Sequence, residues 1–97
     1  MANYVVLINW TEQGIATAAD SPSRATAGAA ALKKLGGKLK TVLWTIGPYD
    51  LVAIVEAPDD ETITAFCLAT CGQGNVRTTT MRAFDRTEMA AIFEKIS

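Results

Sequence analysis

The stretch TIGPYDLVAIVEAPDD, residues 45–60, decides how this chain folds. It places a Gly-Pro-Tyr-Asp tetrapeptide, 47–50, directly before an apolar run, 51–55. Glycine relaxes the backbone and proline fixes φ, so the tetrapeptide predicts a tight corner. The aliphatic run predicts a buried strand, which Pro58 stops. The stretch therefore raises the question of whether the tetrapeptide is only a corner or also part of a site.

The residues before this stretch predict a strand followed by two helices. Residues 4–10 are rich in β-formers and predict the first strand. Thr11 is expected to cap a short helix over 12–18, and Ser21 to cap a longer helix that ends at 36–37, a Gly-Gly pair. The longer helix carries an inward stripe with helical spacing: Ala25, Ala29, Leu32 and Leu35.

The second strand and the elements after Pro58 complete the pattern. Residues 38–46 predict a strand whose strict alternation puts four side chains on one face: Leu39, Thr41, Leu43 and Thr45. Asp59 is expected to cap a helix with the buried stripe Ile63, Phe66, Cys67 and Thr70. Residues 75–84 predict a fourth strand at a sheet edge. Asp85 and Glu88 predict a capping box before a last helix, with the apolar stripe Met89, Ile92, Phe93 and Ile96.

The order of these elements is βαββαβ with a C-terminal helix, which is the ferredoxin-like motif. The expected fold class is therefore α+β, in a single domain over residues 1–97. In this motif the first and third strands are central, and the second and fourth lie at the edges. Both crossover helices cover one face of the sheet, so the opposite face needs another partner or polar side chains.

The central strands are apolar on both faces. In the first strand, Val5 and Leu7 point away from the face that carries Tyr4, Val6 and Ile8. In the third strand the two faces are formed by Leu51, Ala53 and Val55 and by Val52 and Ile54. A monomer would leave one apolar face bare, and contiguous patches of that kind seldom stay exposed. The pattern favours a homodimer that packs sheet against sheet, and the alternative is that the last helix folds over the face.

Three segments together resemble the GYD-domain family of small bacterial proteins: YVVLINWTEQG, KKLGGKLKTVLWTIGPYDLVAIVEAPDDET and GNVRTTTMRAFDRTE. The likeness covers nearly the whole chain, and the corner at 47–50 carries the Gly, Tyr and Asp of the family name. The resemblance implies a dimeric α+β barrel, in which two ferredoxin-like protomers pack their sheets face to face. The family is largely without an assigned biochemical function, so the resemblance implies a fold and little chemistry.

The composition excludes several classes of function. Nine Lys and Arg stand against ten Asp and Glu, a net charge of -1, so no field attracts nucleic acid or an anionic membrane. The chain has no histidine, and Cys67 and Cys71 alone cannot complete a metal site. We therefore expect no metal, cofactor, nucleic-acid or membrane partner. No signal peptide is evident and the two thiols suit a reducing compartment, so a cytoplasmic location is expected.

The corner Gly47-Pro48-Tyr49-Asp50 has two interpretations. In the structural one, Tyr49 packs against a neighbour and Asp50 accepts hydrogen bonds from nearby backbone amides. In the functional one, Tyr49 and Asp50 form the mouth of a pocket, where the carboxylate orients a phenol or a water for acid–base chemistry. The composition favours the structural interpretation without excluding the other.

Three residues at strand ends are further ligand-binding candidates. Asn9 interrupts an apolar strand, so its amide either satisfies backbone groups or contacts a ligand. Trp10 and Trp44 each carry a large apolar surface and one donor. They either pack in the core or form the aromatic walls of a cleft.

Arg77 and Arg82 complete the set of candidates. They lie five residues apart on the fourth strand and therefore point to opposite faces. The inward arginine is expected to pair with a carboxylate such as Glu56 or Asp50, or else to receive an anionic ligand.

Three functions fit these residues. The first is a homo-oligomeric module that binds a small organic ligand in a cleft between sheet and helices. The second is a cofactor-independent enzyme of the dimeric α+β barrel type, a monooxygenase, isomerase or dehydratase. In that enzyme Tyr49, Asp50 and Arg77 or Arg82 would act as acid–base and anion-holding groups. The third is a regulatory module that binds a protein partner through an edge strand or the last helix.

Overall fold

A computed structural model describes all 97 residues and has the ferredoxin-like order that the sequence predicts. The elements are β1 (Ala2–Trp10), α1 (Glu12–Ala16), a 3₁₀ turn (Ala18–Asp20), α2 (Ser21–Lys34), β2 (Lys38–Trp44), β3 (Leu51–Ala57), α3 (Asp60–Gly72), β4 (Val76–Ala83) and α4 (Arg86–Glu94). The four strands form one antiparallel sheet in the order β2-β3-β1-β4. The α+β class and the central position of β1 and β3 are thereby confirmed.

The hydrophobic core lies between the sheet and the helices α2 and α3. Its buried side chains come from β1, β3, α2 and α3: Tyr4, Val6, Leu32, Ala53, Val55, Ala57 and Ile63. Alternation groups Tyr4 with Val6 and Ala53 with Val55, and helical spacing places Leu32 and Ile63 on the inward stripes, as observed. Ala57 was not predicted, and Leu35 of the predicted α2 stripe is exposed. The Tyr4 hydroxyl donates to the Asp60 carboxylate at 2.5 Å, which joins the central strand to the first turn of α3.

Side-chain caps begin three of the helices as expected. The Thr11 hydroxyl accepts from the Gly14 amide, and the Asp59 carboxylate accepts from the Thr62 amide. At the start of α4, Asp85 and Glu88 form the reciprocal capping box.

The expectation that Ser21 caps α2 was wrong. Asp20, the last residue of the 3₁₀ turn, has a nearly helical backbone conformation, so Ser21 is already the first residue of α2. Asp20 therefore occupies the N-cap position, but its side chain makes no capping hydrogen bond. The short helix before that turn is also two residues shorter than predicted. The Ser21 hydroxyl instead accepts a hydrogen bond from Trp44.

The strict alternation predicted for 38–46 was also wrong. A bulge between Leu39 and Thr41 shifts the register, so that Leu39 pairs with Val55 and Val42 with Ala53. Leu39, Val42 and Trp44 therefore share the helix-facing side, because one extra residue moves every later side chain to the other face. The strand ends at Trp44. The hydroxyl of the next residue, Thr45, donates to the Tyr49 carbonyl at 2.6 Å within the β2–β3 loop.

The second face of the sheet is uncovered. Its two middle rows are Thr79–Leu7–Val52–Leu43 and Met81–Val5–Ile54–Thr41. Leu43 and Met81 are 60% and 45% exposed, and α4 does not fold over them. The apolar stripe predicted for the last helix is itself open: Phe93 of α4 is 55% exposed, and Ile96, which lies after the end of α4, is 82% exposed. Intramolecular capping by the last helix, the alternative to a dimer, is therefore wrong for this structure.

Candidate functional site

An open apolar cavity of about 240 Å³ lies between α2, α3 and the sheet. The sheet forms its floor with Val6, Ile8, Leu39, Val42, Leu51, Ala53 and Val55. Small residues on α2 create the space, because Ala25, Gly28 and Ala29 bring little side-chain volume between the helix and the sheet. Across from them, α3 contributes Phe66 and Cys67. The cavity thus occupies the cleft between sheet and helices.

Polar groups gather at one end of this cavity, where α2 begins and α3 ends. They are Ser21, Arg24, Thr70, Gln73, Asn75 and Thr78. A hydrogen-bond network from the β1–α1 junction holds this end in place. The Gln13 side chain donates to the Gln73 carbonyl at 3.1 Å and to the Asn75 side chain at 3.0 Å. The Thr11 hydroxyl donates to the Gly74 carbonyl at 2.5 Å.

Arg24 is the only charged residue among those that line the cavity. Its guanidinium donates through Nη1 to the Thr17 hydroxyl at 3.0 Å and through Nη2 to the Gly14 carbonyl at 3.1 Å. The two ion pairs of the structure, Lys40–Glu56 and Arg82–Glu88, do not include it. Arg24 thus meets only neutral acceptors. An apolar lining with one cation at its polar end can bind an organic molecule and orient it.

The Gly47-Pro48-Tyr49-Asp50 corner is held by backbone hydrogen bonds. The Asp50 carboxylate accepts from the Trp10 amide at 2.9 Å, and the Asp50 amide donates to the Ile8 carbonyl at 2.9 Å. Gly47 has a φ of 132°, a conformation that side chains disfavour. These contacts support the structural interpretation of the corner: Asp50 ties the β2–β3 loop to the end of β1.

The two tryptophans occupy different surroundings. Trp44 is half-exposed at the end of β2 and donates through Nε1 to the buried Ser21 hydroxyl at 3.0 Å. Trp10 is partly buried, and its Nε1 is a buried donor without a partner. Asn9 pairs in register with Arg77, so both lie on the uncovered face.

Arg82 lies on the helix-facing side of β4, opposite Tyr4 in register. Its guanidinium lies 4.5 Å from the Phe84 ring centre and 3.6 Å from the Glu88 carboxylate. It also donates to the carbonyls of Asn3 and Ala83. The inward arginine therefore pairs with a carboxylate, as predicted, but that carboxylate is Glu88. The suggested partners are engaged elsewhere, because Glu56 pairs with Lys40 and Asp50 accepts from the Trp10 backbone.

Three side chains outside the cavity, those of Tyr4, Asp59 and Glu88, have pKa values displaced by their contacts. Hydrogen bonds from the Thr62 hydroxyl and amide lower the pKa of Asp59. Burial, together with the hydrogen bond to Asp60, raises the pKa of Tyr4 to about 12. Hydrogen bonds from the Asp85 amide and the Asn3 side chain, with the nearby Arg82 charge, lower the pKa of Glu88. The Tyr4 displacement comes from a contact that joins β1 to α3, whereas those of Asp59 and Glu88 come chiefly from the caps of α3 and α4. No group of three or more His, Cys, Asp or Glu side chains is placed to ligate a metal ion.

The match to known proteins agrees with this architecture. The family model described as GYD domain matches residues 4–93. The chain belongs to the GYD domain family. This GYD domain is similar to a Thermus thermophilus protein named glutamine synthetase and cystathionine beta-lyase binding protein. The two are 29% identical over 92 residues, which is 94% of this chain and 97% of the relative.

Two solved structures share the fold of this GYD domain. The crystal structure of TTHA0845 from Thermus thermophilus superposes with a TM-score of 0.55 at 29% identity and covers 88% of this chain and 95% of that one. The leucine response regulatory protein LrpA of Mycobacterium tuberculosis superposes with a TM-score of 0.63 at 15% identity. That match covers 87% of the GYD domain but 51% of the regulator, so the chain spans about half the regulator's length, and the likeness is one of fold.

The seven residues predicted as ligand contacts do not line the cavity of this GYD domain. The structure brings Trp10 and Asp50 together, and it sets Asn9 beside Arg77. Arg82 lies apart from both groups, opposite Tyr4 and beside Glu88. The residues that do line the polar end, Arg24 with Gln73 and Asn75 among them, were not predicted. A signal that could have found them is the run of small residues on α2, since a helix without bulky side chains can leave space against the sheet.

Proposed function

We propose that this GYD domain binds a small organic molecule in the cavity between α2, α3 and the sheet. The observation that carries the proposal is the cavity itself, which is apolar over most of its lining and polar at one end. Ligand sites in proteins have this composition, because apolar walls provide affinity and a few polar groups provide orientation.

The size of the cavity sets the size of the ligand. An apolar cavity of about 150 Å³ stays dry and takes up benzene. The cavity here, about 240 Å³, has room for an aromatic ring with a short side chain. Its opening toward solvent also gives a ligand a way in without unfolding of the helices.

The test uses the neutral compound 3-phenylpropanol as a probe and two matched leucine substitutions on α2. Gly28→Leu directs a side chain into the cavity, where a Cβ at residue 28 would lie 3.8 Å from the Phe66 ring. Ala30→Leu adds the same side chain on the exposed side of the helix. Calorimetric titration is expected to show binding to the wild type and to Ala30→Leu, and at least about tenfold weaker binding to Gly28→Leu.

Two results would contradict the proposal. One is the absence of binding to the wild type together with no co-purified small molecule in native mass spectrometry. The other is binding that Gly28→Leu leaves unchanged, since a ligand in the cavity must meet the new side chain.

A second function is favoured by the name of the Thermus thermophilus relative, which describes it as a binding protein for two enzymes. We propose as the alternative that this chain also binds a metabolic enzyme. The exposed side chains of Phe93 on α4 and of Ile96 just after it offer an apolar surface on which such a partner can pack. Affinity capture on purified glutamine synthetase and cystathionine beta-lyase tests this. Retention of the wild type and loss with Phe93→Ser supports it, and no retention on either enzyme opposes it.

We also propose that the protein is a homodimer that packs its uncovered sheet faces together. Six of the eight side chains in the middle rows of this face are apolar, and its end rows are polar, with Asn9 and Arg77 at one end and Asn3 and Glu56 at the other. An apolar centre with a polar rim is the usual anatomy of a protein interface. The dimer would leave the ligand cavity free, because the cavity lies on the opposite side of the sheet.

A further inference from the structure

The polar end of the cavity carries a positive charge that no acidic side chain neutralises. Arg24 is the only arginine, lysine, aspartate or glutamate in the lining. No carboxylate lies within ion-pair distance of it, and Asp20, one helical turn earlier, forms no ion pair with it. Its two hydrogen bonds, to Thr17 and Gly14, use two of the five N–H donors of a guanidinium.

From this charge we infer that the cavity ligand is a carboxylate with an apolar body, and that Arg24 is the group that recognises its carboxylate. The inference rests on the proposed function and names its ligand class. Arg24 lines the cavity, and Thr17 and Gly14, which lie outside the lining, hold its guanidinium in place, so little conformational freedom is lost when a ligand binds. The planar fork of arginine matches the two oxygens of a carboxylate.

The neutral groups beside Arg24 fit the same ligand. Gln73 and Asn75 lie at this end, with their positions set by Gln13. Amide and hydroxyl groups can donate to a carboxylate without competing for its charge. An acidic residue in their place would neutralise Arg24 and repel an anion, and the lining holds none. The apolar floor would then receive the hydrocarbon part of the ligand.

The test compares two probes of the same size and shape, 3-phenylpropionate and 3-phenylpropanamide. Calorimetric titration at low salt is expected to show that the wild type binds the acid about tenfold or more tightly than the amide, as a charge-assisted hydrogen bond implies. Arg24→Gln is expected to remove this preference, because it weakens binding of the acid by about tenfold or more and binding of the amide by much less. Thr17→Val, which removes a support of Arg24 but keeps the charge, is the control and is expected to keep a preference for the acid.

The outcomes separate this inference from the proposed function. Equal binding of acid and amide to the wild type, or a preference that survives Arg24→Gln, overturns the role of Arg24 while the cavity remains a ligand site. Failure of the acid, the amide and the neutral 3-phenylpropanol to bind overturns the proposed function, and the carboxylate inference with it.

Discussion

At the scale of single residues, Tyr4 shows how one polar group can strengthen an apolar core. It is 2% exposed, and its hydroxyl has the Asp60 carboxylate as its acceptor. Ionisation of the phenol would bury a negative charge beside a carboxylate, which is why its pKa rises to about 12. The buried hydroxyl is therefore satisfied as a neutral donor and costs the core little.

This contact predicts a loss of stability in strong alkali. An unfolded tyrosine ionises near pH 10, so the Tyr4 contribution is complete below about pH 10 and is lost as the pH rises toward about 12. Tyr4→Phe is expected to lower the free energy of unfolding at neutral pH by about 1–2 kcal/mol and to flatten the alkaline decline. Urea denaturation at a series of pH values measures both effects.

A spectroscopic titration that measures the pKa of the Tyr4 phenol directly completes that experiment. In Tyr49→Phe, Tyr4 is the single tyrosine, so phenolate absorbance reports its ionisation alone. A midpoint near the ordinary tyrosine value in this variant would contradict the buried, hydrogen-bonded state of Tyr4.

For Asp50, the sequence alone is compatible with two roles, a catalytic or binding group and a structural group of the corner. A carboxylate beside a tyrosine is compatible with acid–base chemistry, and it is equally compatible with a corner. The hydrogen bond from the Trp10 amide to Asp50 joins residues 40 positions apart. No local pattern specifies such a contact, so it is visible only once β1 and β3 lie side by side.

At the scale of elements, two glycines within helices have different structural surroundings. Gly14 of α1 faces the backbone of Asn75, and a Cβ there would overlap its carbonyl oxygen. Gly28 of α2 faces the cavity, where a Cβ would meet only the Phe66 ring at an ordinary distance of 3.8 Å. The first glycine permits the close approach of α1 to the start of β4, and the second contributes empty volume.

These surroundings predict opposite effects of the same substitution. Gly28→Ala is expected to raise the free energy of unfolding by about 0.5–1 kcal/mol, because alanine is the better helix former and nothing obstructs it. Gly14→Ala is expected to lower it by about 1–3 kcal/mol, because α1 must move away from Asn75. Thermal unfolding of the two variants beside the wild type measures the difference. Destabilisation by Gly28→Ala would mean that the space beside Phe66 is not empty.

At the scale of the whole molecule, the uncovered sheet face dominates the shape. The protein measures 51 × 30 × 18 Å, and the short dimension is that of one sheet and one helix layer. Four strands about 4.8 Å apart and about 25 Å long present a face of roughly 500 Å². That area is somewhat more than half of the ~800 Å² that each partner of a stable complex buries.

The dimer proposed for this face is tested by two matched substitutions. Leu43→Asp places a charge in its apolar centre, while Ile46→Asp places one in the β2–β3 loop, where the side chain is already 102% exposed. Sedimentation velocity is expected to find a dimer for the wild type and for Ile46→Asp, and a monomer for Leu43→Asp. A monomeric wild type at micromolar concentration would overturn the dimer, and the ligand proposals would stand, because their cavity is on the other side.

The sequence by itself determined the element order, the strand order, three side-chain caps and the two apolar faces of β1 and β3. These follow from local rules, since turn residues, capping residues and alternation act over a few neighbours. It did not determine the bulge in β2, the cap of α2 or the cavity. The bulge adds one residue against a partner strand, and the cap depends on the incoming turn. The cavity with Arg24 at its end is the space left when α2, α3 and the sheet meet, and only the packed structure decides where that space lies.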